Sequence, residues 1–160
     1  MSLLDVQNLK VSFHTRNGEV KAVDDVSFSV EPGKITAIIG ESGSGKSVAC
    51  YSLLGLIPTP PGKIEGGKAL FEGNDLLGMS ERELRQIRGR DIAMIFQDPM
   101  TCLNPHMTIG DQLVEPIIFH KGIAKKEARA RAIELLEEVG MRDPQSTIDN
   151  YPYQFSGGMR

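Results

Sequence analysis

The octapeptide Gly40-Glu41-Ser42-Gly43-Ser44-Gly45-Lys46-Ser47 constrains this chain more than any other feature. It fits the pattern G-x-x-x-x-G-K-[ST] at every fixed position. The glycines let the backbone curl so that successive N–H groups point inward at phosphate oxygens. A helix that starts beyond the loop adds the positive end of its dipole to that field. The flanks suit this reading. Residues 34–39 hold Ile35, Ala37, Ile38 and Ile39, nearly apolar throughout, which predicts a strand buried on both faces. Ala49, Leu53 and Leu56 recur at i, i+4 and i+7, one face of a helix. In this loop Lys46 neutralises the β- and γ-phosphates of a nucleoside triphosphate, and Ser47 offers its hydroxyl to Mg²⁺. Gly40, Ser42, Gly43, Ser44, Gly45 and Val48 complete the predicted nucleotide contacts. The pattern alone goes no further, because kinases, GTPases, helicases and transport ATPases share it.

The segments around the loop add organisation. Leu3 to His14 reads as a strand with Val11 and Phe13 on one face and Ser12 and His14 on the other. Asn17-Gly18 predicts a tight hairpin, since both central residues tolerate positive φ, and Val20 to Val30 alternates again. Pro58, Pro60, Pro61 and Gly62 end the helix after the loop. Ala69 to Glu72 reads as a short strand, and Ser80 with Glu83 as a capping box. Asp91 to Phe96 is a further apolar strand. Beyond Gln97 the character becomes helical, over Thr108 to His120 and Lys125 to Gly140. There Ala128, Ala132, Leu135 and Val139 form a stripe, and Gly140 sits where a C-terminal cap belongs. The predicted division is a β-rich, loop-bearing part over 1–97 and a helical part over 98–160.

Composition removes several classes of function. The net charge of −3 argues against a nucleic-acid binder. Cys50 and Cys102 lie far apart, so neither a disulfide framework nor a zinc site is expected. No apolar run approaches the roughly 18 residues of a membrane span, and Met1 to Lys10 carries no secretory signal pattern. Arg82, Arg85 and Arg88 read as a solvated helix face. His14, His106 and His120 have no ligand spacing between them and read as ordinary histidines.

Two later phrases narrow the class. Residues 94–101 (MIFQDPMT) end a buried strand in a glutamine, and residues 151–160 (YPYQFSGGMR) contain a Ser-Gly-Gly core. Together with the P-loop they resemble the ATP-binding subunits of ATP-binding-cassette (ABC) transporters, over the whole chain. The signature is usually Leu-Ser-Gly-Gly-Gln; here Phe155 and Met159 replace the outer two residues. That variation, with the phrase Phe96 to Pro105, is similar to the oligopeptide/dipeptide/nickel importer branch, although Thr101-Cys102 departs from the usual Thr-Ser.

The resemblance implies an α/β P-loop NTPase fold of ABC type. Its parts are an N-terminal antiparallel β part, a partial RecA-like parallel sheet and a helical subdomain, the whole incomplete. It implies ATP and Mg²⁺ as ligands. Lys46 and Gln97 take catalytic roles, with Ser47 and Gln97 on the metal, and Phe13 is the aromatic that stacks on adenine. Ser156, Gly157 and Gly158 form the signature that closes on the nucleotide of a second ATP-binding subunit. Transmembrane permease subunits are direct partners, Met100 and Leu103 are candidates for touching them, and a solute-binding protein acts indirectly. The resemblance puts the chain peripherally on the cytoplasmic face of the membrane and implies no nucleic-acid partner.

The family pattern continues past the signature with a Walker B strand ending in Asp, an adjacent Glu, a D-loop and a switch histidine. None of these falls within the 160 residues. The expected activity is therefore ATP hydrolysis coupled to uptake of peptides or related solutes for the intact subunit, and weak binding without turnover for these residues alone. The alternatives are a catalytically incomplete nucleotide-binding or interaction module and a non-transport ABC ATPase.

Overall fold

A computed structural model describes residues 2–97 and 102–156. The chain divides into two units, one ending at Arg88 and the other starting at Gly89. In the first, β1 (Leu4–Thr15) and β2 (Gly18–Val30) form an antiparallel hairpin. Thr15 pairs with Gly18, so Arg16 and Asn17 make the two-residue turn, one position earlier than Asn17-Gly18 predicted. β3 (Gly62–Phe71) lies along the other side of β1, and β4 (Asn74–Asp75) closes the order β2-β1-β3-β4.

Alternation along β1 is re-phased by a bulge. Asn8 takes φ 49 opposite Asp25 at φ 61, and its amide donates to Asp25 Oδ1 at 3.1 Å. The extra residue turns Leu9 and Val11 onto the face that Val6 already occupies, and all three are buried. Gly67, at φ 103, accepts the bulge because a Cβ there would lie 2.7 Å from Leu9 Cα. Helix α1 (Lys46–Leu53) packs across β1 and β2, and Ala49, Leu53, Leu54, Val23 and Ala69 join the core. Helix α2 (Glu81–Ile87) starts with the predicted capping box: Ser80 accepts from the Glu83 N–H while Glu83 accepts from the Ser80 N–H at 2.7 Å.

The partial parallel sheet expected from the sequence does not form. Every strand pairing among the described residues is antiparallel. Residues 34–39 and 91–96, the two segments predicted as buried strands, belong to no strand beyond an isolated bridge at Ile92. Ile35 is 100 % exposed, Ile39 92 % and Ile95 94 %. The physical reason is that an apolar strand is defined by its neighbours: without a ladder on either side its side chains find no cover. Met94, read as a core residue, is half-buried.

The second unit is helical. Helix α3 (Ile109–Lys121) is capped by Thr108, whose hydroxyl accepts from the Asp111 N–H at 3.1 Å. Helix α4 (Lys125–Glu138) packs on α3, and α5 (Pro144–Thr147) packs on α4. Val114, Ala128, Ala132, Leu136 and Ile148 form the core. The buried stripe thus runs through Leu136, while Val139, assigned to it from the sequence, is 75 % exposed beside the Gly140 turn. The first amides of α3 are satisfied from outside the helix: Gly110 N–H donates to Ile148 O at 2.7 Å and Ile109 N–H to Asn150 O at 2.9 Å.

Candidate functional site

The glycine-rich loop runs from residue 40 into α1. Gly43 and Gly45 take φ 80 and φ 88, the left-handed region that the motif's glycines permit. Gly45 is the N-cap of α1 and offers no capping side chain, and no acidic residue stands in the first turn. The positive end of the helix is therefore directed at the loop without an internal anion to neutralise it. Gly45 also touches the sheet: a Cβ there would lie 2.1 Å from the Ala22 carbonyl oxygen. This packing fixes where the loop ends and α1 begins relative to β2, and it was invisible in the motif itself.

Lys46 folds back over the loop. Its Nζ donates to Gly40 O at 2.7 Å and Glu41 O at 2.6 Å, with Ser44 Oγ at 3.3 Å. A cation thus lies within the loop, held by the loop's own carbonyls. The Ser44 N–H donates to Glu41 O at 3.2 Å, closing the turn. Gly40, Ser42 and Glu41 are exposed, as are Lys34 to Ile39 before them. On α1, burial pushes the Cys50 thiol up from its ordinary pKa, which favours the thiol over the thiolate.

The far end of α1 is held by a residue that the sequence reading assigned to solvent. Arg88, whose side chain is only 23 % exposed, pairs with Glu81 through Nη1 at 2.6 Å and Nη2 at 3.1 Å. Its Nε donates to Leu54 O at 2.8 Å, just past the last turn of α1. A local signal for this existed: Glu81 and Arg88 are seven apart, two turns of one face. The partner carbonyl, 34 residues away, had none.

The other predicted site residues are distributed over both units. Phe13 is half-buried on β1 between Val20 and Gly62, with its Cε1 3.1 Å from the position of a Gly62 Cβ. Gln97 and Ser156 belong to the second unit and are exposed. Gly157, Gly158 and Met100 lie outside the described residues; Leu103 is half-buried. No helix among the described residues is long and apolar enough to cross a membrane.

Comparison with known proteins places these features in a family. The family model described as "ABC transporter" matches residues 23–160. The chain is 50 % identical over 158 residues to the oligopeptide transport ATP-binding protein OppD of Bacillus subtilis, covering 99 % of this chain and 44 % of that protein. It is 52 % identical to the dipeptide transport ATP-binding protein DppD of the same organism, over 99 % of this chain and 47 % of the relative. The DppD protein of Escherichia coli is 49 % identical, with 99 % and 48 % covered. The chain thus spans about half the length of the curated relatives it matches. Among solved structures, a dimeric ATP-binding cassette in a post-hydrolysis state with ADP and phosphate superposes with a TM-score of 0.78 at 23 % identity, over 98 % of this chain and 64 % of that one. The likeness extends to the fold. With its P-loop, its antiparallel sheet and a family match that runs from Val23 to Arg160, the chain belongs to the ABC transporter family.

Proposed function

We propose that this chain forms the nucleotide-binding part of the ATP-binding subunit of an ABC importer that takes up peptides or related solutes. The observation that carries the reading is the loop over 40–47. Its glycines are left-handed at 43 and 45, an uncapped helix N-terminus stands behind it, and a lysine ammonium lies among its carbonyls. A polyphosphate fits this donor set, because each of these three features offers positive charge or an N–H, and no acidic residue stands in the first turn of α1. The solute class rests on the relatives named for oligopeptide and dipeptide transport.

In this reading the Lys46 ammonium exchanges the Gly40 and Glu41 carbonyls for β- and γ-phosphate oxygens. Ser47, through its hydroxyl, and Gln97, through its amide oxygen, are the residues that would hold Mg²⁺, and the ion would draw charge from the phosphates. The Phe13 ring offers a flat face to adenine. Ser156, with Gly157 and Gly158, addresses the nucleotide of a second ATP-binding subunit; permease subunits anchor the pair at the cytoplasmic face of the membrane. These 160 residues alone bind nucleotide without sustained turnover, since they carry no acidic pair at the end of a strand after the signature to orient water.

Equilibrium binding of a fluorescent ATP analogue tests the proposal. Binding that unlabelled ATP competes away, and that weakens about tenfold or more in Lys46→Ala, is the expected result. Equal affinity in Lys46→Ala, or competition by adenosine as strong as by ATP, would sink it. Sustained phosphate release from the purified 160 residues, lost in Lys46→Ala, would overturn the turnover statement alone.

A further inference from the structure

Away from the P-loop, the sheet brings together three metal-ligating side chains, two across the β1–β2 hairpin and a third from β3. His14 on β1 pairs in register with Glu19 on β2. Glu65 on β3 falls where the β1–β3 register shifts, between the pairs Val11↔Ile64 and Lys10↔Gly66. One ligand atom from each of His14, Glu19 and Glu65 lies within 4.8 Å of the other two. We propose that His14 Nε2, Glu19 and Glu65 form a surface site for a first-row divalent cation of borderline softness, Zn²⁺ being the representative, with water completing the coordination.

The ligand set selects the ion. One imidazole and two carboxylates suit Zn²⁺ and its neighbours, whereas Mg²⁺ and Ca²⁺ take oxygen ligands and leave the imidazole unused. Zinc sits about 2.0–2.2 Å from nitrogen and oxygen ligands, which puts tetrahedral ligand atoms about 3.3 Å apart. His14 Nε2 and Glu65 Oε1 are already 2.7 Å apart, joined by a hydrogen bond.

The surroundings are partly arranged for this. The Ser12 hydroxyl, on a buried residue, donates to Glu19 Oε1 at 2.7 Å and orients that carboxylate, leaving Oε2 for an ion. The His14 backbone N–H donates to Pro61 O at 2.9 Å, which fixes the end of β1 against the start of β3. To ligate through Nε2 the neutral ring carries its one proton on Nδ1, so that the Nε2 lone pair faces the ion. Lys63, 2.8 Å from Glu65 Oε2, is a built-in competitor for the same carboxylate. That gives the proposal a signature that an ordinary ion pair lacks: removing Lys63 strengthens metal binding. The site does not depend on nucleotide.

The test is calorimetric titration of Zn²⁺ into the full chain, dialysed free of chelator and nucleotide, with Co²⁺ absorption as the second readout. The expected result is one ion per chain at this site, about tenfold or more weaker in both His14→Ala and Glu65→Gln, and tighter in Lys63→Ala. Circular dichroism checks that each variant retains the sheet, and Glu65→Gln keeps the shape of the side chain if His14→Ala unfolds. Absence of binding at about 1 mM Zn²⁺ would overturn the proposal. So would undiminished binding in His14→Ala and Glu65→Gln, or a Co²⁺–thiolate band that disappears in Cys50→Ser or Cys102→Ser.

Discussion

Gly45 shows how closely one position can be specified. It must supply a positive φ of 88, and it must do so against the Ala22 carbonyl, where a Cβ would stand at 2.1 Å. Gly45→Ala therefore combines left-handed strain with backbone overlap. The expected cost is about 2–4 kcal/mol of stability, measurable by urea denaturation, with nucleotide binding lost alongside. Arg88 is specified differently, by the groups around its guanidinium. The hydrogen bond from Arg88 holds the Glu81 carboxyl below its ordinary range. A carboxylate depressed on folding contributes stability above its unfolded pKa of about 4.3 and loses it as pH falls through the lower folded value. Thermal melts of the wild type and Glu81→Gln should therefore differ by a constant amount from pH 7 down to about pH 5 and converge below about pH 4. A difference that grows in acid would contradict the assignment.

Among the elements, those specified by near neighbours in sequence were legible before the structure. The Ser80–Glu83 capping box needs four residues and forms as read. Thr108 caps α3 for the same reason, despite Pro116 inside the helix. The helix expected beyond the P-loop likewise forms, as α1 from Lys46. What the sequence hid is what a distant partner decides. The bulge at Asn8 exists because Asp25, Ser27 and Gly67 receive it, and period-two alternation cannot show that. Most of β3 was missed because Lys63, Glu65, Gly66, Gly67 and Lys68 look like a loop until β1 supplies the ladder. In the helical unit the stripe rotated from Leu135 to Leu136, because Ile148 and its carbonyl close that side of the bundle. Leu136→Ala should cost about 2–5 kcal/mol, read as loss of helix signal on denaturation. A surface value near zero would remove Leu136 from the core.

Over the whole molecule, composition and structure diverge most at residues 34–39. Their apolar run was read as a buried strand, yet burial is a property of surroundings that this segment lacks among the described residues. Exposed isoleucines at 35, 38 and 39 offer apolar surface to an apolar probe. An anilinonaphthalene dye should therefore fluoresce with the native chain, and Ile35→Lys with Ile39→Lys should quench most of that signal. The same absence of a ladder bears on how the chain breaks. Proteases act on extended backbone that is not already paired, and Lys34 opens this segment with a side chain that trypsin recognises. Brief digestion should cut first after Lys34, separating the β1–β2 hairpin from the P-loop in the covalent chain while the β1–β3 ladder still holds them together.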